Sequence, residues 1–161
     1  PLHSVFDQHG TQGPPVRKGN PMKPSSEFFK IFEHDPNFME IMKTLLHSSM
    51  EMSFSGVMIT EATPDYPILY INPAFCQMTG YGPQEILMQS PAILQGPKTD
   101  PAVLERLSQD IKAGRVFHGR AINYRKDGTE FMMEWKIAPI RDVEGHISHY
   151  LAIQKDVSHE M

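Results

Sequence analysis

The sequence contains a single cysteine, Cys76, among its 161 residues. One thiol cannot form an internal disulfide, which is typical of a reducing compartment, so we expect a cytoplasmic protein. No apolar run approaches the ~20 residues that a membrane helix needs, and no basic leader precedes an apolar core. The sequence therefore predicts no membrane partner.

Clustered positive charge is also missing. The chain has 15 Lys and Arg against 19 Asp and Glu, a formal net charge of -4, without a basic run. Nucleic-acid binding needs clustered cations to meet the phosphate backbone, so we expect no nucleic-acid partner. The length suits one domain with flanking segments. Because the chain begins with Pro1 instead of Met, we expect it to be a piece of a longer protein.

Motifs that mark catalytic sites are missing as well. The sequence contains no Gly-x-Ser-x-Gly, no phosphate loop and no dinucleotide glycine motif. His146 and His149 are three residues apart at the start of a predicted strand, which puts them on opposite faces, and no cysteine or carboxylate cluster completes a metal site. We therefore expect no catalytic residue, no metal and no enzyme.

The N-terminal part of the chain divides into an arm and a helix. Residues 1–25 are rich in Pro, Gly, Gln and His, which predicts a linker. Residues 26–52 predict a flanking helical segment, with a helix starting at Asp35-Pro36 and ending near residue 46. One face of that helix is apolar: Phe38, Ile41, Met42, Leu45 and Leu46. We expect the helix to stand outside the core and to form a homodimer; the alternative is that the domain's own sheet covers it in a monomer.

Residues 53–158 predict a single α+β domain. Short apolar or alternating runs predict strands at residues 56–60, 68–71, 116–124, 130–139 and 149–154. Proline and glycine signals mark short helices between the second and third strands. Asp127-Gly128 between two extended runs predicts a hairpin. The order predicts a five-stranded antiparallel sheet with short helices on one face, enclosing a pocket for a small ligand.

Several motifs along residues 52–158 resemble the PAS domain family. They are YINPAFCQMTGY at residues 70–81, NYRKDGT at 123–129, PIRD at 139–142 and QKDVS at 154–158. LQGPKTD at residues 94–100 is similar to the segment after the photoactive cysteine of the LOV branch, the flavin-binding blue-light sensors. The resemblance implies a sensor of light or redox state that signals to an effector in the full-length protein, such as a C-terminal kinase or nucleotide cyclase.

The chain departs from the LOV pattern at positions that matter chemically. LOV domains carry the cysteine in an NCRFLQ segment, where this chain reads SPAILQ at residues 90–95. Pro91 replaces the cysteine, and proline has no nucleophile, so we expect no thiol adduct. Ser90 and Met133 stand where asparagines contact the flavin ring.

Two phosphate-binding arginines of the LOV pattern are also replaced, by Ala92 and Ser108. Arginine suits phosphate because its planar fork makes paired charge-assisted hydrogen bonds. Arg106 and Lys112, on the same predicted helix as Ser108, are candidates to compensate; the alternative is that both lie on a solvated face.

The resemblance nevertheless implies a flavin site at Thr60, Gln95, Asn123 and Gln154, with Gln154 facing the reactive ring nitrogen. Side-chain amides suit a flavin edge because they both donate and accept. Trp135 shares a strand face with Met133 and is a candidate to stack on a flat cofactor. We expect FAD before FMN, since the adenine arm offers contact area in place of the missing arginines. Two alternatives stay open: ordinary sheet and core residues, and a ligand-free or non-flavin domain that dimerises and relays a signal.

Overall fold

The computed structural model describes residues 30–31 and 34–160, so the linker predicted at residues 1–25 lies outside the described residues. The chain divides into two units, Pro1–Met42 and Lys43–Met161. Helix α1, Phe38–Glu51, begins in the first unit and continues into the second. It starts after Pro36 because Asp35 holds the preceding turn, where its carboxylate accepts from the Asn37 N–H. It also continues well beyond the predicted end at residue 46.

The second unit contains the five predicted strands. Their bounds are β1 Gly56–Glu61, β2 Ile68–Ile71, β3 Phe117–Tyr124, β4 Glu130–Arg141 and β5 Ile147–Asp156. The sheet order is β2-β1-β5-β4-β3, and every neighbouring pair is antiparallel. The predicted α+β fold is therefore confirmed. Strands β4 and β5 extend beyond the prediction because their hairpin closes tightly, with the Asp142 N–H donating to the His146 carbonyl.

Short helices fill the long connection between β2 and β3. They are α2 Pro73–Thr79, α3 Pro83–Ile86, a 3-10 turn Pro91–Leu94 and α4 Pro101–Lys112. Each begins with proline, whose missing N–H costs nothing at the first helical position. The side chains of Asn72, Ser90 and Asp100 cap three of these starts by accepting backbone N–H bonds. Local sequence signals thus set where these elements begin.

The inner face of the sheet is apolar and the outer face is polar. On β3, Phe117, Ala121 and Asn123 are buried while His118 and Arg120 are exposed, as a period of two requires. One core cluster forms around β1, β2 and α2: Met58, Ile68, Ile71, Phe75, Ile86, Leu94 and Ala152. A second forms on β3 and β4: Phe117, Ala121, Phe131, Met133 and Trp135.

The last turn of helix α1, which belongs to the second unit, forms hydrogen bonds with residues of β2 and of the start of α2. The Tyr70 hydroxyl donates to the Glu51 carboxylate at 2.6 Å, and the Asn72 amide donates to the Met50 carbonyl at 2.9 Å. Desolvation, with the bond to Glu51, raises the pKa of Tyr70 to about 12. The phenol therefore stays protonated and able to donate at neutral pH.

Candidate ligand-binding cavity

A cavity of about 270 Å³ lies between the inner face of the sheet, helix α4 and the 3-10 turn. All five predicted site residues line it: Thr60 on β1, Gln95 after the 3-10 turn, Asn123 on β3, Trp135 on β4 and Gln154 on β5. Most of the remaining wall is apolar, formed by Met58, Leu94, Leu104, Leu107, Ile111, Met133, Ile137 and Ala152. Such a volume is close to the ~300 Å³ lower end of small-molecule pockets.

Strand register places Gln154 in the middle of this wall. It is paired with Gly56 of β1 on one side and with Trp135 of β4 on the other. Its side-chain carbonyl oxygen, Oε1, is buried without a hydrogen-bond partner, which is true of no other buried side-chain oxygen or nitrogen in the described part of the chain. Buried polar groups are normally satisfied. This oxygen is therefore an acceptor without a protein partner, on a residue of the cavity wall.

The loop that carries Gln95 is fixed against strand β3. The buried Thr99 hydroxyl donates to the Ile122 carbonyl at 2.7 Å and accepts from the Gly96 N–H at 3.0 Å. A Cβ on Gly96 would lie 2.3 Å from the ring of Tyr124, so only glycine permits this approach. The loop consequently holds Gln95 at the cavity wall.

Two tyrosines of the wall were missed by the sequence analysis. Tyr66 and Tyr150 both line the cavity, and their rings meet edge to face with centroids 5.8 Å apart. Tyr150 was detectable, because it alternates with Ala152 and Gln154 along β5. Tyr66 was not, since it lies in a turn where it adopts an unusual φ of 50°.

The positions that depart from the LOV pattern also face the cavity. Ser90, Pro91, Ala92, Ser108 and Met133 all belong to its wall. No charged side chain within residues 30–31 and 34–160 lines it. The expectation that Arg106 and Lys112 supply a cation there is not met, because neither belongs to the wall.

Arg106 is engaged outside the cavity. Its guanidinium donates to the His118 carbonyl at 2.8 Å and lies 4.9 Å from the centroid of the Phe117 ring. Lys112 is exposed. The polar groups of the cavity are thus hydroxyls, amides and an indole, all neutral, so they fit the ring of a flavin but provide no cation for its phosphate.

Cys76 lies on helix α2 and does not belong to the cavity wall. It packs against the first core cluster and is half-buried. Burial raises the pKa of its thiol. A protonated thiol is a poor nucleophile, so Cys76 is a packing residue.

Glu134 and the two histidines considered for a metal site, His146 and His149, lie outside the cavity wall. Glu134 faces away from the cavity, as its strand parity predicts, and binds His118 at 2.9 Å and Arg120 at 3.1 Å. These two partners, His118 first, lower the pKa of Glu134. His146 lies in the β4–β5 turn and His149 on β5. Within the part of the chain that the structure describes, no group of three or more His, Cys, Asp or Glu is placed to hold a metal ion.

This architecture, an antiparallel sheet that closes a cavity against short helices, is similar to that of solved LOV domains. The profile of the PAS domain matches residues 55–159. The chain therefore belongs to the PAS family, and its similarity to phototropins and to solved LOV domains makes it LOV-like. PAS domains are sensory modules and not catalytic ones.

Individual relatives support this assignment. Over 128 residues the chain is 39% identical to phototropin-2 of Oryza sativa subsp. japonica, covering 78% of this chain and 14% of the phototropin. Over 115 residues it is 33% identical to a blue-light-activated histidine kinase of Brucella canis, covering 71% of this chain and 24% of the kinase. A solved RNA-binding light-oxygen-voltage receptor is 28% identical, with a TM-score of 0.72, and covers 76% of this chain and 35% of that one. The chain thus spans a small part of each relative.

The described residues include no helix long and apolar enough to cross a membrane.

Proposed function

We propose that this domain binds a flavin in the cavity and senses redox state or light without forming a cysteinyl adduct. One observation carries the proposal: the unsatisfied Oε1 belongs to Gln154, a residue of the cavity wall, which Thr60, Gln95 and Asn123 also line with neutral polar side chains. A flat ring with an edge of donors and acceptors suits this arrangement. Trp135 offers a flat aromatic surface in the wall, and the centroid of its ring lies 5.3 Å from that of the Phe117 ring.

Among flavins we propose FAD before FMN. Both FMN and FAD carry phosphate, and the described wall provides no cation for it, so phosphate contacts favour neither cofactor. The adenine arm of FAD adds apolar contact area that FMN lacks.

The spectrum of the purified protein tests the proposal. We expect a yellow protein with flavin absorption bands, and a flavin released on denaturation that mass spectrometry identifies. Loading the apoprotein with FAD and with FMN separates the two cofactors. Protein that stays colourless after both treatments would contradict flavin binding and favour the ligand-free or non-flavin alternative.

We propose that Gln154 passes the state of the ligand to the C-terminal exit of the domain. A bound flavin supplies reversible reduction, in which a ring nitrogen changes from hydrogen-bond acceptor to protonated donor. Gln154 meets both states by presenting either its oxygen or its nitrogen. Asp156, two residues further along β5, accepts from Arg125 at 2.5 Å and from the Ser158 N–H at 2.9 Å. An amide rotation at Gln154 thus acts close to the bonds that hold the exit.

Gln154→Leu should retain the flavin but uncouple its redox state from the exit. In the natural protein, chemical reduction should change hydrogen exchange at residues 156–160, and in Gln154→Leu this difference should disappear. Gln95→Leu is the matched control, because it removes a cavity amide that lies on a loop instead of β5. An unchanged redox difference in Gln154→Leu would show that the signal leaves by another route.

For the full-length protein we propose a C-terminal effector, such as a kinase or nucleotide cyclase, and a cytoplasmic location. Support comes from the similarity to a blue-light-activated histidine kinase, of which this chain covers only 24%. The single thiol favours a reducing compartment.

We further propose that the domain forms a homodimer through helix α1. Large apolar side chains in the second unit lie exposed there: Leu45 is 42% exposed and Leu46 is 62% exposed, and Met52 and Phe54 just beyond the helix are also exposed. Each such side chain gains roughly 1.5–3 kcal/mol when fully buried, so a partner that covers them is favoured. The same surface supports dimerisation if the domain binds no flavin.

Light scattering tests the dimer. The intact chain should be dimeric at micromolar concentration, and Leu45→Glu/Leu46→Glu should be monomeric because burying two carboxylates is unfavourable. Val143→Glu, which adds a charge at an exposed residue of the β4–β5 turn, is the control and should stay dimeric. A monomeric natural chain, or a dimer that survives both charges on α1, would contradict this interface.

A further inference from the structure

The wall of the cavity is neutral throughout its described part. Its polar members are Thr60, Tyr66, Ser90, Gln95, Ser108, Asn123, Trp135, Tyr150 and Gln154, and no Lys, Arg, His, Asp or Glu is among them. A phosphate placed inside would lose water without gaining a counter-charge, which is strongly unfavourable, so the phosphate of a bound ligand stays in solvent.

Three cations on the elements around the cavity are engaged elsewhere. On α4, Arg106 is bound to the His118 carbonyl. In the loop before α4, Lys98 pairs with Glu130 at 2.9 Å. After α4, Arg115 pairs with Asp110 at 2.8 Å. Lys112, the last residue of α4, is exposed and does not belong to the cavity wall. A phosphate inside the cavity therefore gains a cation only if one of these contacts breaks or Lys112 is drawn in.

The neutral amides, in contrast, belong to the cavity wall, although the Asn123 amide also donates to the Ala121 carbonyl at 3.3 Å. Gln154 and Asn123 are both almost completely buried, on strands β5 and β3, and Gln154 Oε1 has no protein partner. A neutral donor on a ligand ring satisfies that oxygen without any charge. Recognition therefore rests on hydrogen bonds and on the apolar wall.

We propose that the cavity recognises the neutral heteroaromatic ring alone and is indifferent to a terminal phosphate, so that riboflavin binds as tightly as FMN. This inference rests on the proposed flavin binding. Where a charge-assisted phosphate contact exists, it strengthens binding by about tenfold or more. Here that gain is absent, and only the adenine arm of FAD adds affinity.

Titration of the full apoprotein with riboflavin and with FMN tests the inference through flavin fluorescence. The two dissociation constants should agree within about threefold, and neither should change by more than about twofold between low and high salt, because no ionic contact is screened. FMN binding about tenfold tighter than riboflavin, with a gap that salt narrows, would overturn the inference while leaving flavin binding intact. Failure of riboflavin, FMN and FAD to bind would overturn the proposed function and this inference with it, whereas binding of FAD alone would overturn this inference and leave flavin binding intact.

A cation added to the cavity wall should make the protein prefer FMN over riboflavin. Ser108 lies on α4 at the cavity, so Ser108→Arg should bind FMN about tenfold more tightly than riboflavin, whereas Ser108→Gln, long but neutral, should not discriminate. Ala92→Arg tests the same idea from the 3-10 turn if the first variant fails to fold. A Ser108→Gln variant that prefers FMN as strongly as Ser108→Arg would contradict the role assigned to charge.

Discussion

Asn72→Ala is expected to lower the free energy of unfolding by about 3–5 kcal/mol, because it leaves several buried backbone groups without partners. The Asn72 side chain is fully buried. Its oxygen accepts from the Val57 N–H at 2.8 Å and from the Phe75 N–H at 3.0 Å. Its nitrogen donates to the Met50 and Ser55 carbonyls, both at 2.9 Å. One side chain thus joins the end of α1, strand β1 and helix α2.

Urea denaturation followed by the fluorescence of Trp135, the sole tryptophan, measures this loss. Asp100→Ala is a suitable control, because Asp100 caps α4 from an exposed position with one bond to the Ala102 N–H, and should cost about 1 kcal/mol. Asn72→Asp keeps the acceptor but turns an oxygen toward two carbonyls, so it should also destabilise. An Asn72→Ala variant no less stable than Asp100→Ala would refute the stabilising role assigned to the Asn72 hydrogen bonds.

Blue light is expected to produce no thiol adduct in the natural protein, whether or not flavin is bound. Pro91 lines the cavity where a LOV domain has its cysteine, and Cys76 does not belong to the cavity wall. A bound flavin should photoreduce or fluoresce instead, since no nearby thiol quenches its excited state. Pro91→Cys, by contrast, should place a thiol at the wall and allow reversible bleaching of the flavin bands.

The Pro91→Cys change should be tolerated by the fold. Pro91 is the first residue of its 3-10 turn, and Ser90 caps that turn through the Ala92 N–H, so the substitution removes no hydrogen bond. Pro91→Ser is the control without a thiol and should not bleach. Absorption spectra in the dark, under illumination and during recovery provide the measurement. Dark-reversible bleaching in the natural protein that is lost in Cys76→Ala would contradict the assignment of these positions, because Cys76 would then supply the thiol.

Much of the fold was predictable from local signals. The five strands follow alternating or apolar runs, and the helices of the β2–β3 connection each begin at a proline. Strand parity predicted that Met133 and Trp135 share a face, and the family resemblance implied that this face points inward, as their burial shows. Helix α1 was extended beyond its prediction because the partners of its last turn, Tyr70 and Asn72, lie far along the chain.

The candidate site was predictable only where a family resemblance marked its residues. Thr60, Gln95, Asn123, Trp135 and Gln154 do share one cavity, although their binding of a flavin stays a prediction. Tyr66 carried no signal, since its place depends on a turn with an unusual backbone conformation that meets β5 across space.

The sequence by itself therefore determined the elements, their order and the loss of the reactive thiol, because these depend on residue type and short-range spacing. Only the tertiary structure decided the charge of the cavity. Arg106 lies on the same helix as Ser108, yet its guanidinium binds strand β3 while Ser108 faces the interior. Which of two neighbouring side chains reaches a cavity is set by how the helix packs on the sheet, and that packing joins residues distant in sequence.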